Sequence, residues 1–474
     1  MKDKIFKDSV HGYISIPDNY CEEIINTDIF QRLRHIEQTS VRVIYPSAHH
    51  DRFSHSLGVY HLGNMAFAYL KNNTLKSNFS LPLSKWDHYK NTFLSACLLH
   101  DCAHAPFSHT FEFCYEMKKT ENENGEKVSY LDYELKKLFG EDYSTYCTPQ
   151  THEKASAIIL IKKYSNAIKR LGGDPNLAAR MIIGCQHSSP QSKNERFENC
   201  LIQLLNSKAI DVDKLDYISR DTWATGVCNV NIDNNRLLSA VTISNLDGKP
   251  ILSFNKSALS VLHSVIYGRN FLYRWLYIHH KVLYDQYLLT EAIKKIAILM
   301  GYDEKELFSQ IFSIDSLLEP INIKNFIFYL PTDGDLIYLL KSNIDKIPEA
   351  KELITRNHKN KALWKTQAEF ELLFKDINDR RRGIIYKEGK EHLDVYGKKM
   401  GWKEPFLFLK AEAKLTKLER DEIFINIDNK TISYSNPAFS KDEQLTIPQY
   451  FFVYGPKECI KEKEECIRKL RNIV

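Results

Sequence analysis

Side chains that can bind a metal ion are concentrated in one stretch of the first quarter of the sequence. Residues 91–112 read NTFLSACLLHDCAHAPFSHTFE, and His100, Asp101 and His104 follow apolar residues at helical spacing. Two imidazoles and a carboxylate buried on such a helix cost several kcal/mol unless a charged partner lies against them. A divalent cation is the simplest partner. The alternative is that His100 and Asp101 pair with each other or with the backbone, and this dipeptide alone does not decide.

Two further positions could complete a metal site. His55 lies in the first turn of a helix predicted to begin at Ser54, and Asp213 lies in the helical run IDVDKLDY. With His100 and Asp101 they would supply two neutral nitrogen donors and two carboxylates. This set neutralises one divalent ion and leaves positions open for water and a phosphate oxygen. It suits manganese, iron, zinc or magnesium and does not choose among them.

Other ionisable side chains occur close to these motifs in the sequence. The titratable ones are His104, His109, Glu112 and His152. Arg52 and Lys214 are cations that could bind the anionic part of a substrate. The neighbourhood therefore favours chemistry on a phosphate-bearing molecule.

The elements that must position these side chains are predicted to be mainly helices. The predicted helices are Cys21–Glu37, a segment from Ser54, residues 91–105, His152–Tyr164, Asn176–Gly184, Arg196–Asp221, Ala258–Met300 with at most one break, and Lys457–Leu470. The predicted strands are a hairpin over Ile5–Ile16, a hairpin over Val241–Phe254 around Asp247-Gly248, a hairpin over Ile423–Ser435 around Asp428-Asn429, and a strand over Tyr450–Tyr454. We expect Lys118–Val128 to be a surface loop. The fold class is thus mainly α, with small β-hairpins.

Composition places the chain among large globular proteins. Its 474 residues include 43% hydrophobic and 12% aromatic residues, enough for two or three structural lobes. We interpret residues 1–300 as the chemical lobe and 301–474 as a C-terminal α+β lobe for regulation or oligomerisation. Ten cysteines without a CxxC pair indicate reduced, buried thiols. No stretch of about 18 uncharged apolar residues occurs, so we expect a cytoplasmic protein without a membrane span.

Several separated motifs resemble one enzyme family. They are RFSHSLG at Arg52–Gly58, LLHDCAHAPFSHTFE at Leu98–Glu112, IDVDKLDYISRD at Ile210–Asp221, FKDSVHGYI at Phe6–Ile14 and FQRLRHIEQ at Phe30–Gln38. Together they resemble the HD-domain phosphohydrolases, and within them the dGTPase-like deoxynucleoside triphosphate (dNTP) triphosphohydrolases, over about residues 4–290. The resemblance implies an HD-domain helical core. It also implies a metal-dependent reaction, dNTP plus water giving a deoxynucleoside and tripolyphosphate.

The resemblance assigns roles to the ionisable residues. It implies that the metal ligands are His55, His100, Asp101 and Asp213. His109 matches the family's candidate general acid for the leaving 5′ oxygen, and Glu112 stands where the family usually has aspartate. His104 and His152 match histidines that contact phosphate and the attacking water.

The resemblance also implies a substrate surface. The implied contacts are Gln38, Thr39, Arg52, Lys214, Tyr217, Asp221, Arg269, Tyr273 and Tyr277. Arg52 and Lys214 match phosphate ligands, and Tyr277 matches a tyrosine that packs against the sugar. Two positions depart from the family pattern: Tyr273 replaces a histidine, and Thr39 replaces an apolar residue expected against the deoxyribose.

A regulatory site is implied as well. Four positions align with an allosteric nucleotide site between subunits: Lys4, Asn26, Gln31 and Arg34. Asn26 replaces an aspartate that reads guanine, which removes the charge but keeps an acceptor oxygen. We therefore expect a regulatory nucleotide and a homo-oligomer, a dimer or a tetramer.

Two alternatives to a dNTP triphosphohydrolase stay open at this point. The first is another HD-type phosphohydrolase, such as a nucleotidase, a cyclic-dinucleotide phosphodiesterase or a nuclease. The second is a nucleotide-sensing or nucleic-acid-binding protein. The second draws on the net charge of +5 and on the consecutive arginines Arg380, Arg381 and Arg382.

Overall fold

Helices make up most of the structure, as the sequence pattern predicts. The computed structural model describes residues 3–75, 81–227, 230–246, 249–303, 310, 312–323, 326–411, 423–427, 430–434 and 450–474. The α-helices of five or more residues are α1 Asp28–Arg32, α2 Arg52–Leu75, α3 Leu83–Leu99, α4 Phe113–Met117, α5 Tyr130–Phe139, α6 Glu141–Tyr146, α7 Thr151–Ile159, α8 Ser165–Arg170, α9 Pro175–Ile183, α10 Lys193–Leu205, α11 Val212–Thr225, α12 Asn234–Ser239, α13 Leu259–Leu272, α14 His280–Leu299, α15 Asp333–Ser342, α16 Pro348–Thr355, α17 Gln367–Leu373, α18 Asp379–Lys399 and α19 Lys463–Arg471.

The strands form small sheets around this helical body. They are β1 Asp3–Asp8, β2 Gly12–Pro17, β3 Lys119–Glu121, β4 Lys127–Ser129, β5 Val241–Leu246, β6 Lys249–Asn255, β7 Ile321–Ile323, β8 Phe326–Phe328, β9 Asn360–Ala362, β10 Leu407–Ala411, β11 Phe424–Ile427, β12 Lys430–Ser433 and β13 Tyr450–Pro456. Three antiparallel hairpins stand alone, β1-β2, β3-β4 and β7-β8, while β10-β13-β9 and β12-β11-β6-β5 form larger sheets. In the four-stranded sheet, β11 runs parallel to β6, so a strand from the last quarter of the chain joins the β5-β6 hairpin. The predicted hairpins and the strand at Tyr450–Tyr454 are confirmed, although the turns Asp247-Gly248 and Asp428-Asn429 lie outside the described residues.

The prediction of a loop over Lys118–Val128 is wrong. Residues 119–121 and 127–129 pair as a hairpin, with Lys119 opposite Ser129. The turn is closed by Asn122, whose side-chain oxygen accepts the N–H groups of Asn124 and Glu126. Gly125 adopts a positive φ of 75°, which glycine tolerates at no steric cost. The charged sequence of this segment therefore does not reveal its hairpin, because the turn is stabilised by the side chain of Asn122.

Three predicted helices are interrupted. The helix over residues 91–105 ends at Leu99, where α3 gives way to tight turns in which the N–H of Cys102 bonds to the carbonyl of Leu99 and that of His104 to Asp101. The segment Arg196–Asp221 is two helices, α10 and α11, because the Asp211 side chain accepts the N–H of Lys214 and caps a new helix start. Cys21–Glu37 is divided into the π-turn Cys21–Ile25, α1 and the 3-10 turn Leu33–His35.

Two clusters of buried apolar side chains stabilise the molecule. The larger one spans the helices of the first 300 residues and also includes Leu336 on α15 and Ile425 on β11. The smaller one surrounds Trp364 and Phe451. Helix α14 contributes to both clusters. The division of the chain at residue 300 stays a prediction.

A buried carboxylate fixes the loop that follows α3. Asp333 accepts the backbone N–H of Phe107 at 2.6 Å and that of Glu37 at 2.8 Å. Phe107 and Ser108 both adopt positive φ, near 50°, a conformation that costs energy for residues other than glycine. Arg32 supports the same loop, because its guanidinium donates to the carbonyls of His104 and Pro331. Residues 331–333 thus hold two loops together.

We predict that Asp333 makes thermal stability depend on pH near neutrality. Burial raises the pKa of Asp333 to about 7, although its two N–H partners favour the ionised form. The folded protein therefore binds this proton more tightly than the unfolded chain does. The resulting stability is fully present below about pH 4, where both states are protonated, and is lost as pH rises through about 7. The gap of about 3 pH units sets an upper bound of about 4 kcal/mol.

Thermal unfolding of wild type and Asp333→Asn between pH 5 and 8 tests this. The Tm of wild type should fall relative to that of Asp333→Asn as pH rises. Asp335→Asn controls for the change in net charge, since Asp335 lies two residues away in the same helix start. A difference between wild type and Asp333→Asn that stays constant with pH contradicts the prediction.

Candidate active site

Three helices bring four predicted metal ligands together. His55 lies in the first turn of α2, His100 and Asp101 follow the end of α3, and Asp213 lies in the first turn of α11. His55 Nε2 is 3.0 Å from Asp213 Oδ1 and 3.2 Å from His100 Nε2. Asp101 Oδ2 is 3.6 Å from both imidazole Nε2 atoms. The end of α3 at Leu99 makes this possible, since the turn directs His100 and Asp101 to the same point.

The donor set fits a divalent cation. Carboxylate and carbonyl oxygens only accept, so His55 Nδ1 must donate to Asp216 and His100 Nδ1 to the carbonyl of Cys97. With Nδ1 as the donor, each imidazole can present an Nε2 lone pair to the same point, where two carboxylates also converge. His55, His100 and Asp101 have ligand atoms within 4.8 Å of one another. This nitrogen and oxygen set matches the ligands of manganese, iron, zinc or magnesium.

The electrostatics favour positive charge at this point. Burial lowers the pKa of His55, but its hydrogen bonds to Asp213 and Asp216 outweigh burial and raise that pKa to about 9. Burial alone would raise the pKa of Asp213, but hydrogen bonds to His100 and His55 hold it well below its usual value. The position therefore attracts either a proton or a metal ion.

A second cluster lies directly beside the first. Glu112 Oε1 is 2.6 Å from His109 Nδ1, 3.0 Å from His152 Nδ1 and 3.4 Å from His104 Nδ1. The rings of His104 and His152 stack at 4.1 Å. Three of these side chains are buried, whereas 58% of the His109 side chain is exposed. Their ligand-type atoms also lie within 4.8 Å of one another.

Asp101 connects the two clusters. Its Oδ2 faces His55 and His100, while its Oδ1 lies 3.6 Å from His104 Nε2 and 3.9 Å from His152 Nε2. Carboxylates and imidazoles alternate around Asp101. Burial raises the pKa of Glu112, but the imidazoles of His109 and His152 outweigh burial and hold it well below its usual value.

The two stacked histidines have opposite shifts. Burial lowers the pKa of His152, but the Glu112 carboxylate raises it to about 9. Burial and the nearby Arg52 guanidinium hold the pKa of His104 well below its usual value. His152 is therefore protonated at neutral pH and His104 is neutral.

The cations predicted to contact phosphate already have protein partners. Arg52 donates to Asp101 Oδ2 at 2.6 Å, to Ser108 Oγ at 3.0 Å and to the carbonyl of Gln38 at 3.1 Å. Lys214 Nζ donates to Asp211 Oδ2 at 2.7 Å and to the carbonyl of Ser207 at 2.8 Å. Each cation is thereby held in one position.

Five more of the predicted substrate residues form one network along α11 and the junction between α13 and α14. The Tyr277 hydroxyl donates to Asp221 Oδ2 at 2.5 Å, and the other Asp221 oxygen contacts His50 Nε2 at 2.6 Å. The Arg269 guanidinium lies 4.6 Å above the ring of Tyr273 and hydrogen-bonds to Tyr217.

Two predicted substrate residues precede the Ser40–Val43 turn. Gln38 is buried, and its side-chain oxygen has no hydrogen-bond partner among the described residues. Thr39 is partly buried and immediately precedes the turn.

The four predicted regulatory residues lie at or near the surface, and two of them, Gln31 and Arg34, contact each other. Arg34 donates to the Gln31 side chain at 2.9 Å and lies 3.4 Å above the ring of Phe53. Lys4 instead pairs with Asp18 at 3.3 Å, and Asn26 is exposed at the end of the π-turn.

Sequence reasoning missed the residues that hold these side chains. Asp216 contacts His55, His11 and Arg220, and Ser108 links Arg52 to the carbonyl of Glu37. One signal was available, because Asp216 and Arg220 are four residues apart in the same helical motif as Asp213. His11 lies within the FKDSVHGYI motif but was given no role there, and no sequence signal connects Asp333 to the site.

Two further predictions concern the state of the cysteines and the presence of membrane-spanning helices. The described cysteines are all free thiols. Within the described ranges, none of the helices is both long enough and apolar enough to cross a bilayer.

Comparisons with known proteins agree with this geometry. The family model described as HD domain matches residues 52–221, the range that holds His55, His100, Asp101 and Asp213. YwfO of Bacillus subtilis is 28% identical over 65% of this chain and 59% of its own length. The deoxynucleoside triphosphate triphosphohydrolase SAMHD1 of Gallus gallus is 27% identical over 77% of this chain. The chain spans 57% of the length of that enzyme.

A solved structure shares the fold. The phosphohydrolase from Bacteroides thetaiotaomicron superimposes with a TM-score of 0.60 and 20% sequence identity over 96% of this chain and 98% of that one. At this identity the likeness concerns the fold alone. The match of residues 52–221 to the HD domain and the distant similarity to SAMHD1 together support an HD-type phosphohydrolase, a kind of metal-dependent hydrolase.

Proposed function

We propose that the protein is a metal-dependent dNTP triphosphohydrolase that converts dNTP and water to a deoxynucleoside and tripolyphosphate. The observation that carries this proposal is the Asp101 carboxylate, which joins a cation-binding donor set to a cluster of three histidines and Glu112. Similarity to enzymes named deoxynucleoside triphosphate triphosphohydrolase supports the choice of substrate.

In this proposal His55, His100, Asp101 and Asp213 hold one divalent ion, manganese, iron, magnesium or zinc. When bound, the ion supplies Lewis-acid stabilisation of the negative charge that develops on a phosphate. The Nδ1 hydrogen bonds of His55 and His100 keep their Nε2 atoms available as ligands.

Glu112 and His109 form a pair suited to proton donation. The Glu112 carboxylate lies 2.6 Å from His109 Nδ1, a contact that orients the ring. His109 is the exposed member of its cluster, so Nε2 can reach a substrate. We assign it the proton that the leaving 5′ oxygen needs. The charged His152 and the neutral His104 then orient phosphate and the attacking water.

Arg52 and Lys214 can bind phosphate without losing their present partners. A guanidinium has five N–H donors and three of Arg52 are used, while an ammonium has three and two of Lys214 are used. The remaining donors are held in fixed directions, which favours a phosphate chain of defined geometry.

The nucleoside would lie against the aromatic side of the site. Tyr217, Tyr273 and Tyr277 line it, and the bond from Tyr277 to Asp221 fixes the last ring. Gln38 and Thr39 would complete this surface. Regulation by a nucleotide at Lys4, Asn26, Gln31 and Arg34, within a homo-oligomer, belongs to the same proposal.

The arginine cluster at 380–382 gives less support to the nucleic-acid alternative than the sequence suggests. Arg382 is buried, and its guanidinium donates to Glu371 at 2.7 Å and to the carbonyl of Phe374 at 3.0 Å. Only Arg380 and Arg381 of that cluster are exposed. Two exposed arginines are a common surface feature.

Product analysis tests the reaction. Incubated with manganese or magnesium and each dNTP, alone and as an equimolar mixture, the protein should release deoxynucleoside and intact tripolyphosphate, resolved by ion-pair chromatography. Turnover confined to the mixture would support the regulatory nucleotide. Release of monophosphate or pyrophosphate contradicts triphosphohydrolysis and favours another HD-type phosphohydrolase.

Metal analysis tests the ligand set. After dialysis against Mn²⁺, wild type should retain about one ion per chain by mass spectrometry of the metal, as expected for a single site. Asp213→Asn should lose most of it, because this carboxylate supplies a ligand oxygen. His104→Gln is the matched control from the neighbouring cluster and should retain the ion. Equal loss in both variants argues against the four-residue set.

Kinetics test the proton donor. His109→Gln should lower kcat about 10²–10⁴-fold, the usual contribution of general acid catalysis. Its Mn²⁺ content should match that of wild type, which separates loss of the acid from loss of the metal. Glu112→Gln should lower kcat in the same direction, since the carboxylate contact that orients the His109 ring is lost. An unchanged kcat in His109→Gln excludes His109 as the acid.

A further inference from the structure

The back of the proposed metal site is closed by the N-terminal hairpin. Asp216 on α11 is fully buried and accepts a hydrogen bond from His55 Nδ1 at 2.7 Å. Its other oxygen is 2.6 Å from Nε2 of His11, which follows strand β1. Since a carboxylate only accepts, His11 Nε2 is the donor. One carboxylate therefore connects a metal-facing histidine to the hairpin.

A second carboxylate fixes the tip of the hairpin. Asp8 Oδ1 accepts the backbone N–H groups of Val10 and His11, both at 2.8 Å. Asp8 Oδ2 accepts Arg220 Nη1 at 2.8 Å. Arg220 in turn donates to both oxygens of Asp216. The tip is thus tied to α11 by Arg220 and by His11.

The packing leaves little freedom at this junction. A Cβ atom on Gly58 would lie 1.8 Å from Asp216 Oδ1 and 2.5 Å from Arg220 Nη2. Only a residue without a side chain allows α2 to approach α11 this closely. Gly58 of the RFSHSLG motif therefore allows Asp216 to lie close enough to bond to His55, which precedes Gly58 by three residues.

The charges of the network suit a cation on the far side of His55. Two carboxylates face one guanidinium, which leaves one negative charge when both imidazoles are neutral. A carboxylate bonded to Nδ1–H fixes the tautomer of a ligating imidazole and strengthens Nε2 as a ligand. His11 shares that carboxylate and fixes its direction.

We infer that His11 and Asp216 are positioning residues for the metal centre, so the N-terminal hairpin is a structural part of that centre. This inference rests on the metal ligands of the proposed function. It extends them to a segment that lies outside residues 52–221, the range that the HD-domain model matches. By linkage, an ion bound at His55 also stabilises the docked hairpin.

Mn²⁺ affinity, measured by titration calorimetry of the full chain, tests the inference. His11→Ala should weaken binding about 10–100-fold, the usual effect of removing such an outer partner. His11→Gln should recover part of that loss, because its amide can still donate to Asp216. Tyr13→Ala is the control on the same hairpin, since Tyr13 is 71% exposed. It should bind Mn²⁺ within about twofold of wild type, as a surface change distant from the ligands.

Hydrogen exchange gives a second readout that does not depend on activity. Adding Mn²⁺ to wild type should slow amide exchange at residues 10–12, and the same addition to His11→Ala should not. Thermal unfolding of each apo variant checks that the fold is kept.

The outcomes separate this inference from the proposed function. If His11→Ala binds Mn²⁺ like wild type while Asp213→Asn does not, the metal ligands stand and the role of the hairpin is refuted. If wild type binds no Mn²⁺, or Asp213→Asn binds it equally well, the ligand set itself is wrong and the inference falls with it.

Discussion

The buried Asp101 carboxylate is the constraint on which the arrangement of the site depends. A carboxylate without partners in a protein interior is very costly, so each of its oxygens must face positive or donating groups. Oδ2 lies against Arg52, His55 and His100, and Oδ1 lies toward His104 and His152. These groups come from distant parts of the chain. Satisfying one charge therefore requires the loop after α3 and the starts of α2 and α7 to meet at a single point.

The same carboxylate gives the two clusters their different characters. On one side, imidazole nitrogens and carboxylates converge without enough donors, which is the kind of donor set that a divalent cation prefers. On the other side, Glu112 is surrounded by imidazoles, which suits proton transfer. Because Asp101 lies between them, a phosphate bound beside such a cation would also lie near the histidines. In the proposed reaction, charge stabilisation and proton donation would thereby act on the same substrate.

The sequence predicted the parts of the site that local pattern encodes. His55, His100, Asp101 and Asp213 each stand in a helical motif with apolar neighbours, and the hairpin over Val241–Phe254 follows from alternation around a turn. Helix ends were predicted less well. The stop of α3 at Leu99 and the new start at Asp211 depend on hydrogen bonds made by individual side chains and backbone groups, which apolar periodicity does not reveal. The hairpin over residues 119–129 was missed for the same reason, since the side chain of Asn122 closes its turn.

Contacts between distant segments were beyond local pattern. Asp333 is more than 200 residues from Phe107, and His11 is more than 200 residues from Asp216. Each residue type is ordinary in its own stretch of sequence and becomes informative only when the fold brings it to its partner.

These distant contacts also explain why the range that carries the ligands is not sufficient to build the site. Residues 52–221 contain His55, His100, Asp101 and Asp213, together with Asp216 and Arg220. Without residues 8–11, Arg220 loses Asp8 and Asp216 loses His11, while without residue 333 the N–H groups of Glu37 and Phe107 lose their acceptor. Leaving such buried groups unpaired costs about 1–3 kcal/mol for each neutral group and more for charged ones. The loops that hold the histidines are therefore stabilised from both sides of the HD domain, and the geometry of the candidate site is a property of the longer chain.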